Sequence, residues 1–202
     1  MSEKTKGTNP VEDFLRKTFN EPLNWIASKL LKIGLTPNHI TFIGFLGNVV
    51  AAVLIGYGHI RWAGLLVVLM APLDAVDGAM ARLRGVSSKF GAFFDSVIDR
   101  YDEVVLLGGL LVWFYFQQNF LGVILSFVAA IGAMLVSYTR ARAEGLGIYT
   151  KVGLMTRIER AIVLIIGLLI GKPIWSVGII AVFANITAIQ RIVYVWRESK
   201  AE

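Results

Sequence analysis

The sequence predicts an all-α integral membrane protein with six transmembrane helices, preceded by an interfacial amphipathic helix. The first observation is the composition: 56% of the 202 residues are hydrophobic and the mean hydropathy is +0.67, which is too apolar for a soluble domain of this length. The second is that several apolar runs approach the ~20 residues that a membrane helix requires. The chain also has no cysteine, which excludes disulfides and thiol catalysis.

Residues 1–35 are predicted to form the juxtamembrane amphipathic helix, and residues 36–202 the transmembrane domain. Pro22 is expected to break the helix, and Trp25 to lie at the level of the lipid headgroups. The segment Thr36–Asn38 ends it and starts the next helix. The alternative is a soluble helix packed on the cytoplasmic loops. The apolar residues at helical spacing are Val11, Phe14, Leu15, Leu23, Ile26 and Leu30.

Six spans are predicted in the transmembrane domain. They cover roughly residues 40–57, 62–83, 90–116, 120–138, 161–170 and 174–193. Pro72 is expected to bend the second span, because proline removes a helix hydrogen bond. The fifth apolar run is too short to cross alone, so its helix is expected to begin near Thr156 and to carry Arg157 and Arg160 in its first turns.

The basic residues predict the orientation of these spans. Only Arg61 and Lys172 lie near the loops after spans one and five, and loop 117–119 has no basic residue. The other Lys and Arg residues cluster in the N-terminal segment, in residues 82–100 and 140–160, and at the C-terminus. By the positive-inside rule, both termini and segment 82–100 face the cytoplasm.

Four carboxylates lie at the end of the second span and the start of the third, where a charge is costly unless it is paired, bound to a metal or facing water. Asp74 and Asp77 are three residues apart and Asp95 and Asp99 four apart, so each pair projects from one helix face. The polar turn 83–88 joins the two helices. An antiparallel hairpin would place both pairs at the same level, so the four carboxylates are predicted to converge.

Convergent carboxylates favour a hard divalent cation with oxygen ligands, Mg²⁺ or Mn²⁺. Two such ions ~3.5–4 Å apart would suit phosphoryl chemistry, because the pair stabilises the attacking and the leaving oxygen. Gly78, Ala81 and Gly91 would let a bulky ligand approach the backbone. Arg82, one turn beyond Gly78, would pair with a phosphate oxygen.

The acids and small residues together spell D-x2-D-G-x2-A-R-x8-G-x3-D-x3-D over residues 74–99. This pattern resembles that of the CDP-alcohol phosphotransferase family without departure. The resemblance implies a six-helix bundle, usually a homodimer, in the cytoplasmic (inner) membrane of a prokaryote. It also implies transfer of a phospholipid group from a CDP-alcohol, such as CDP-diacylglycerol or CDP-archaeol, to an acceptor hydroxyl with release of CMP. Gly44, Gly47, Gly108 and Gly109 would permit helix contacts in such a dimer.

The resemblance also implies roles for the individual residues. Asp99 would be the general base that takes the proton of the acceptor hydroxyl. The predicted metal ligands are Asp74, Asp77, Asp95 and Asp99, for two ions per site. The predicted CDP-binding residues are Asp74, Gly78, Ala81, Arg82 and Gly91.

The second stretch of interest is residues 138–160. Its pattern Y-x-R-A-R-A-E, then V-G and R-x-E-R, is similar to family members that make phosphatidylinositol phosphate or archaetidylinositol phosphate, whose acceptor is inositol phosphate. Arginines at cytoplasmic helix ends can either snorkel or contact phosphate. The predicted acceptor-phosphate ligands are Arg140, Arg157 and Arg160, with Arg191 a poorer fourth candidate.

Two alternatives remain open from the sequence. Glycerol-3-phosphate is also a phosphorylated polyol and would use the same cationic residues, which would make the protein a phosphatidylglycerophosphate synthase. A cation transporter would also carry carboxylates within the membrane. The acids cluster at one depth, near the cytoplasmic side of the membrane, rather than along a path across it. This placement favours an enzyme over a cation transporter.

Overall fold

The computed structural model describes residues 10–85, 88–150 and 152–200, with side chains from residue 21 onward. In this part of the chain all regular structure is α-helical, as predicted. The eight helices are α1 (Pro10–Lys32), α2 (Pro37–Gly56), α3 (Ile60–Met70), α4 (Leu73–Leu83), α5 (Lys89–Phe116), α6 (Phe120–Glu144), α7 (Arg157–Ile170) and α8 (Pro173–Glu198).

Four segments are long and apolar enough to cross a membrane. They are α2, the segment Ile60–Leu83 that comprises α3 and α4, α6 and α8. Large apolar side chains such as Val53, Leu69, Phe127 and Ile189 lie exposed on the outer faces of these helices. Such a surface is compatible with lipid rather than water. The chain is therefore an integral membrane protein.

The predicted helix starts at Thr36 and Thr156 are both confirmed. Thr36 caps α2 in a reciprocal arrangement with His39, and Pro37 occupies the first turn. Thr156 forms a capping box with Glu159 at the start of α7. Each cap satisfies backbone N–H groups that have no partner within the helix.

The two prolines behave differently. The predicted second span is interrupted at residues 71–72, so that α3 ends at Met70 and Pro72 precedes α4. By contrast, α1 continues through Pro22, and the predicted break there is wrong. The reason lies in packing: beyond Pro22, α1 lies against α4, with Ala27 fully buried. These contacts fix the helix direction despite the missing hydrogen bond.

The N-terminal helix therefore supports the carboxylate-bearing helix. Leu23, Leu30 and Leu31 of α1 pack with Val76 and Met80 of α4 in one small apolar cluster. Trp25 is 60% exposed on the other side of α1. Val11, Phe14 and Leu15 also belong to the predicted amphipathic face, but the structure describes only the backbone of these residues.

The main core lies between α2, α3, α5, α6, α7 and α8. Small residues allow these helices to approach closely: a Cβ on Gly109 of α5 would lie 2.6 Å from the carbonyl oxygen of Ala52 on α2. Gly47 similarly packs against Met70. These two glycines make contacts within the chain, whereas Gly108 has no atom within 4 Å of its Cβ position among the described residues.

Candidate functional site

The four predicted acidic ligands lie on α4 and α5, which the segment 84–88 connects. Gly85 adopts φ +65°, a left-handed conformation that glycine reaches without a steric penalty. On the far side of the turn, the Ser88 hydroxyl accepts a 2.9 Å hydrogen bond from the Gly91 N–H and caps α5. Both α4 and α5 pack against α2, and acidic residues of both helices line shared cavities.

The four carboxylates are close enough to act on one another electrostatically. Asp77 is influenced by the charges of Asp74 and Asp95, and Asp99 by the same two residues. They nevertheless divide between two cavities: Asp77 and Asp95 line the first, Asp74 and Asp99 the second. The predicted convergence is therefore a row of acids along two adjoining helices rather than one tight cluster.

The first cavity has a volume of about 590 Å³ and lies between the start of α2 and the α4–α5 hairpin. Gly78, Ala81 and Gly91, which were predicted to bind CDP, form part of the cavity wall. Their small side chains leave room for a ligand to approach the backbone. The lining residues are Thr36, Pro37, Asn38, Thr41, Asp77, Gly78, Ala81, Arg84, Ser88, Gly91, Ala92 and Asp95.

Thr41 and Arg84 are among the polar residues of this cavity that were not predicted as site residues from the sequence. Thr41 donates a 2.7 Å hydrogen bond to Asp77 Oδ2, and both residues are buried. Arg84 lies in the wall, whereas the predicted Arg82 has its guanidinium against Gly78, with Nη1 3.5 Å from the Cβ position. The only sequence hints were the polar segment before the first span and a second arginine two residues after Arg82.

The second cavity, about 460 Å³, lies between α2, α3, α4, α5, α7 and α8. Its wall is mostly apolar, with leucine, isoleucine and alanine side chains. The charged residues that line it are Asp74, Asp99, Asp102, Glu103, Arg157 and Arg160. Acids and bases therefore face a space of limited polarity, where their mutual interactions are strengthened.

Arg157 is the only arginine of the four predicted acceptor ligands that contacts the predicted metal ligands among the described residues. Its Nη2 lies 2.8 Å from Asp74 Oδ2 and 2.8 Å from Asp99 Oδ1. Because Arg157 begins α7, this single guanidinium joins α7 to both α4 and α5. The contact could not be read from the sequence, since Asp74 and Arg157 are 83 positions apart.

The other three arginines occupy different environments. Arg160 is 1% exposed, and its Nη2 donates to Glu103 Oε2 at 2.8 Å. Arg191, 3% exposed, donates to backbone carbonyls, including that of Val152 at 2.9 Å. Arg140 is exposed and pairs with Glu144 on its own helix. Arg140, Arg160 and Arg191 therefore have different partners, although Arg191 lies close enough to the other two to be affected by their charges.

The four carboxylates have the chemistry of a metal site but not a closed ligand set. Within the described ranges, no three His, Cys, Asp or Glu side chains converge closely enough to hold a metal ion. The donor chemistry is nonetheless suitable, because the acidic oxygens are hard ligands, interact with one another and are partly open to the two cavities.

Comparison with known proteins gives the family. Residues 34–196 match the model of the CDP-alcohol phosphatidyltransferase family. The chain belongs to this family. The resemblance seen in residues 74–99 is therefore confirmed. The match to the CDP-alcohol phosphatidyltransferase family covers α2 to α7 and α8 as far as residue 196, and α1 lies before it.

Individual relatives define the subgroup. Phosphatidylinositol phosphate synthase of Mycobacteroides abscessus is 39% identical over 154 residues, which are 75% of this chain and 70% of that protein. Archaetidylinositol phosphate synthase of Pyrococcus horikoshii is 37% identical over 184 residues, 88% of this chain and 93% of that protein.

Solved structures of the Mycobacterium tuberculosis phosphatidylinositol phosphate synthase are also similar to this CDP-alcohol phosphatidyltransferase, at 32% identity and a TM-score of 0.81 in two cases. One has CDP-DAG bound and matches over 86% of this chain and 93% of that one. The other is a complex with manganese and citrate and matches over 86% and 88%.

Proposed function

We propose that the protein transfers a phosphatidyl-type group from CDP-diacylglycerol or CDP-archaeol to a hydroxyl of inositol phosphate, releasing CMP. The observation that carries this proposal is the contact between Asp99 and Arg157. It places a candidate base beside a candidate phosphate ligand in one cavity. The similarity to synthases of phosphatidylinositol phosphate and archaetidylinositol phosphate supports the same acceptor.

The first cavity is the proposed site for the CDP part of the donor. Gly78, Ala81 and Gly91 leave space beside the backbone for a nucleotide. Arg82 and Arg84, at the exposed end of α4, supply positive charge for the diphosphate. Asp74, the fifth predicted CDP-binding residue, lies one turn before Gly78 on the same helix and lines the second cavity.

The acidic residues would hold Mg²⁺ or Mn²⁺, with two ions as the expected number. When bound, the cations would offset the negative charge of the diphosphate and stabilise the leaving CMP. The predicted ligands are Asp74, Asp77, Asp95 and Asp99. The Thr41 hydroxyl fixes one oxygen of Asp77, so the other is left to face the cavity.

Asp99 is the proposed general base. Its carboxylate takes the proton of the acceptor hydroxyl while that oxygen forms a bond to the lipid-bearing phosphorus. The bond between this phosphorus and the oxygen of CMP breaks, and CMP leaves with the bonding electrons. Asp99 is only 13% exposed, so bulk water competes poorly for this position.

Arg157 is the proposed first ligand of the acceptor phosphate, because its guanidinium lines the second cavity. Arg140 is proposed to assist from the cytoplasmic end of α6. Arg160 and Arg191 remain proposed ligands of lower rank. Glu103 holds Arg160 in the wall of the second cavity, and the backbone carbonyl of Val152 holds Arg191.

The membrane arrangement of this enzyme is proposed as six spans, with α3 and α4 counted together. Both termini and the α4–α5 hairpin would face the cytoplasm, and the protein would reside in the inner membrane of a prokaryote. Residues 1–35 would lie along the interface, with Trp25 at headgroup level. Residues 36–202 would form the catalytic domain and assemble as a homodimer.

The experiment is CMP release by the purified protein with Mg²⁺ and either CDP-diacylglycerol or CDP-archaeol. Inositol phosphate, glycerol-3-phosphate, free inositol and serine are offered in parallel. Release with inositol phosphate alone is the expected result. Release with glycerol-3-phosphate instead would support a phosphatidylglycerophosphate synthase, and cation flux into liposomes without CMP release would support a transporter.

A further inference from the structure

We infer that Arg157 and the divalent cation use the same carboxylate oxygens, so that metal loading releases Arg157 to bind the acceptor phosphate. This inference rests on the proposed function and adds an order of events to it. The metal ions would bind at the donor side of the site first. The acceptor side would become competent only afterwards.

The geometry of the bridge is the first argument. One nitrogen, Nη2 of Arg157, lies 2.8 Å from an oxygen of Asp74 and 2.8 Å from an oxygen of Asp99. Asp74 and Asp99 belong to different helices, so this nitrogen stands between α4 and α5. A cation ligated by the same two oxygens would need the same position, and two positive centres cannot share it.

The surroundings of Arg157 give the second argument. Its side chain is 41% exposed, and it lines the second cavity, so it has space into which it can move. The backbone from which it projects is held firmly: Thr156 and Glu159 cap α7. One turn later, the buried Arg160 pairs with Glu103 of α5. A change of rotamer can therefore swing the guanidinium without displacing the helix.

The third argument is charge balance. While Arg157 bridges the two acids, its positive charge is already partly neutralised and attracts a phosphate weakly. Once a cation takes over Asp74 and Asp99, the guanidinium loses its partners beside a mostly apolar cavity. An anionic phosphate group then becomes its best available partner. Metal and acceptor phosphate should consequently strengthen each other's binding, and such coupling is reciprocal.

The test measures Mn²⁺ binding by electron paramagnetic resonance on the full-length protein in lipid nanodiscs, without donor or turnover. Arg157→Gln removes the competing charge and should tighten Mn²⁺ binding about tenfold, since two partly exposed charge-assisted bonds no longer compete. The matched control is Arg100→Gln. Arg100 is also near Asp99, at 3.8 Å, but it forms no salt bridge with Asp74 in the described structure. Its removal should change the affinity about twofold at most.

A second arm adds saturating inositol phosphate to the Mn²⁺ titration. In the unaltered protein this ligand should raise the affinity for Mn²⁺, whereas in Arg157→Gln the affinity should already be high and no longer respond. Arg157→Lys keeps the charge, so its affinity for Mn²⁺ should stay nearer to that of the unaltered protein. Tighter Mn²⁺ binding by Arg157→Gln than by Arg157→Lys would show that the Gln variant is folded and that the lost charge is the cause.

Two results would overturn the inference. Equal Mn²⁺ affinity in the unaltered protein and Arg157→Gln would show that the bridge does not compete, while CMP release by the unaltered protein would leave the proposed function intact. An inositol phosphate response that persists in Arg157→Gln would show that the coupling runs through another group. Absence of Mn²⁺ binding in every variant would overturn the inference and the proposed metal site together.

Discussion

Thr41 Oγ1 donates a hydrogen bond of 2.7 Å to Asp77 Oδ2, which joins the start of α2 to the carboxylate helix α4. Both side chains are buried, at 6% exposure each, so the bond is shielded from water. Hydrogen bonds to charged groups are stronger than neutral ones. The orientation of Asp77 in the first cavity therefore depends on a residue that lies 36 positions away in the sequence.

Replacing Thr41 by valine keeps the shape and removes the hydroxyl. The free carboxylate should lose its fixed orientation, and we expect the KM for the CDP-lipid to rise about tenfold or more. Steady-state CMP release measures this. Thr41→Ser, which retains the donor, should stay close to the unaltered protein, and equal kinetics for the valine and serine variants would contradict the assigned role of the bond.

Asp99→Asn should abolish turnover while CDP-lipid binding persists. Loss of a general base typically lowers kcat about 10²- to 10⁴-fold, and the amide cannot accept the proton. CMP release and equilibrium binding of the donor measure the two properties separately. The control is Asp102→Asn, which removes the same charge one turn deeper in the same cavity. Retained turnover in Asp99→Asn would remove this residue from the role of base.

The buried pair of Glu103 and Arg160 should behave as a structural unit. Glu103→Leu would leave the guanidinium of Arg160, 1% exposed, without its charged partner, at a cost of about 3–5 kcal/mol. Thermal unfolding in detergent should show a lower Tm. The double variant Glu103→Leu with Arg160→Met removes both charges and should recover much of the loss. If the double variant is no more stable than the single one, the pair is not the cause.

The α6–α7 loop offers a test of packing. Gly153 has φ +146°, and a Cβ there would lie 2.4 Å from Cγ2 of Thr187 on α8. Gly153→Ala therefore combines backbone strain with a clash and should lower stability by about 1–3 kcal/mol. Gly147→Ala is the matched control, because its φ is +81° but its Cβ position has no described atom within 4 Å. Denaturation of the two variants side by side separates the clash from the strain.

The sequence was sufficient for most helix positions and for the placement of the four acidic residues on two helices. Residue spacing placed Asp74, Asp77, Asp95 and Asp99 on adjoining helix faces, and the polar segments gave the caps at Thr36 and Thr156. These features depend on near neighbours in the chain, which periodicity and capping rules describe.

Contacts between distant segments were not predictable in this way. The bridge from Arg157 to Asp74, the burial of Arg160 and Arg191, and the division of the acids between two cavities all depend on which helices lie side by side. The continuity of α1 past Pro22 has the same origin, since its packing on α4 overrides the local tendency to break. A single sequence indicates which face of a helix is apolar or acidic, but not which other helix packs against that face.

The two cavities have one further consequence. Both have α4 and α5 in their walls, yet each is large enough to receive a ligand of its own. Two substrates can then reside in the protein at the same time, on either side of the acidic row. The group can then pass directly from one substrate to the other without a covalent intermediate on an enzyme side chain. Double-reciprocal plots of initial rate against substrate concentration should therefore intersect rather than run parallel.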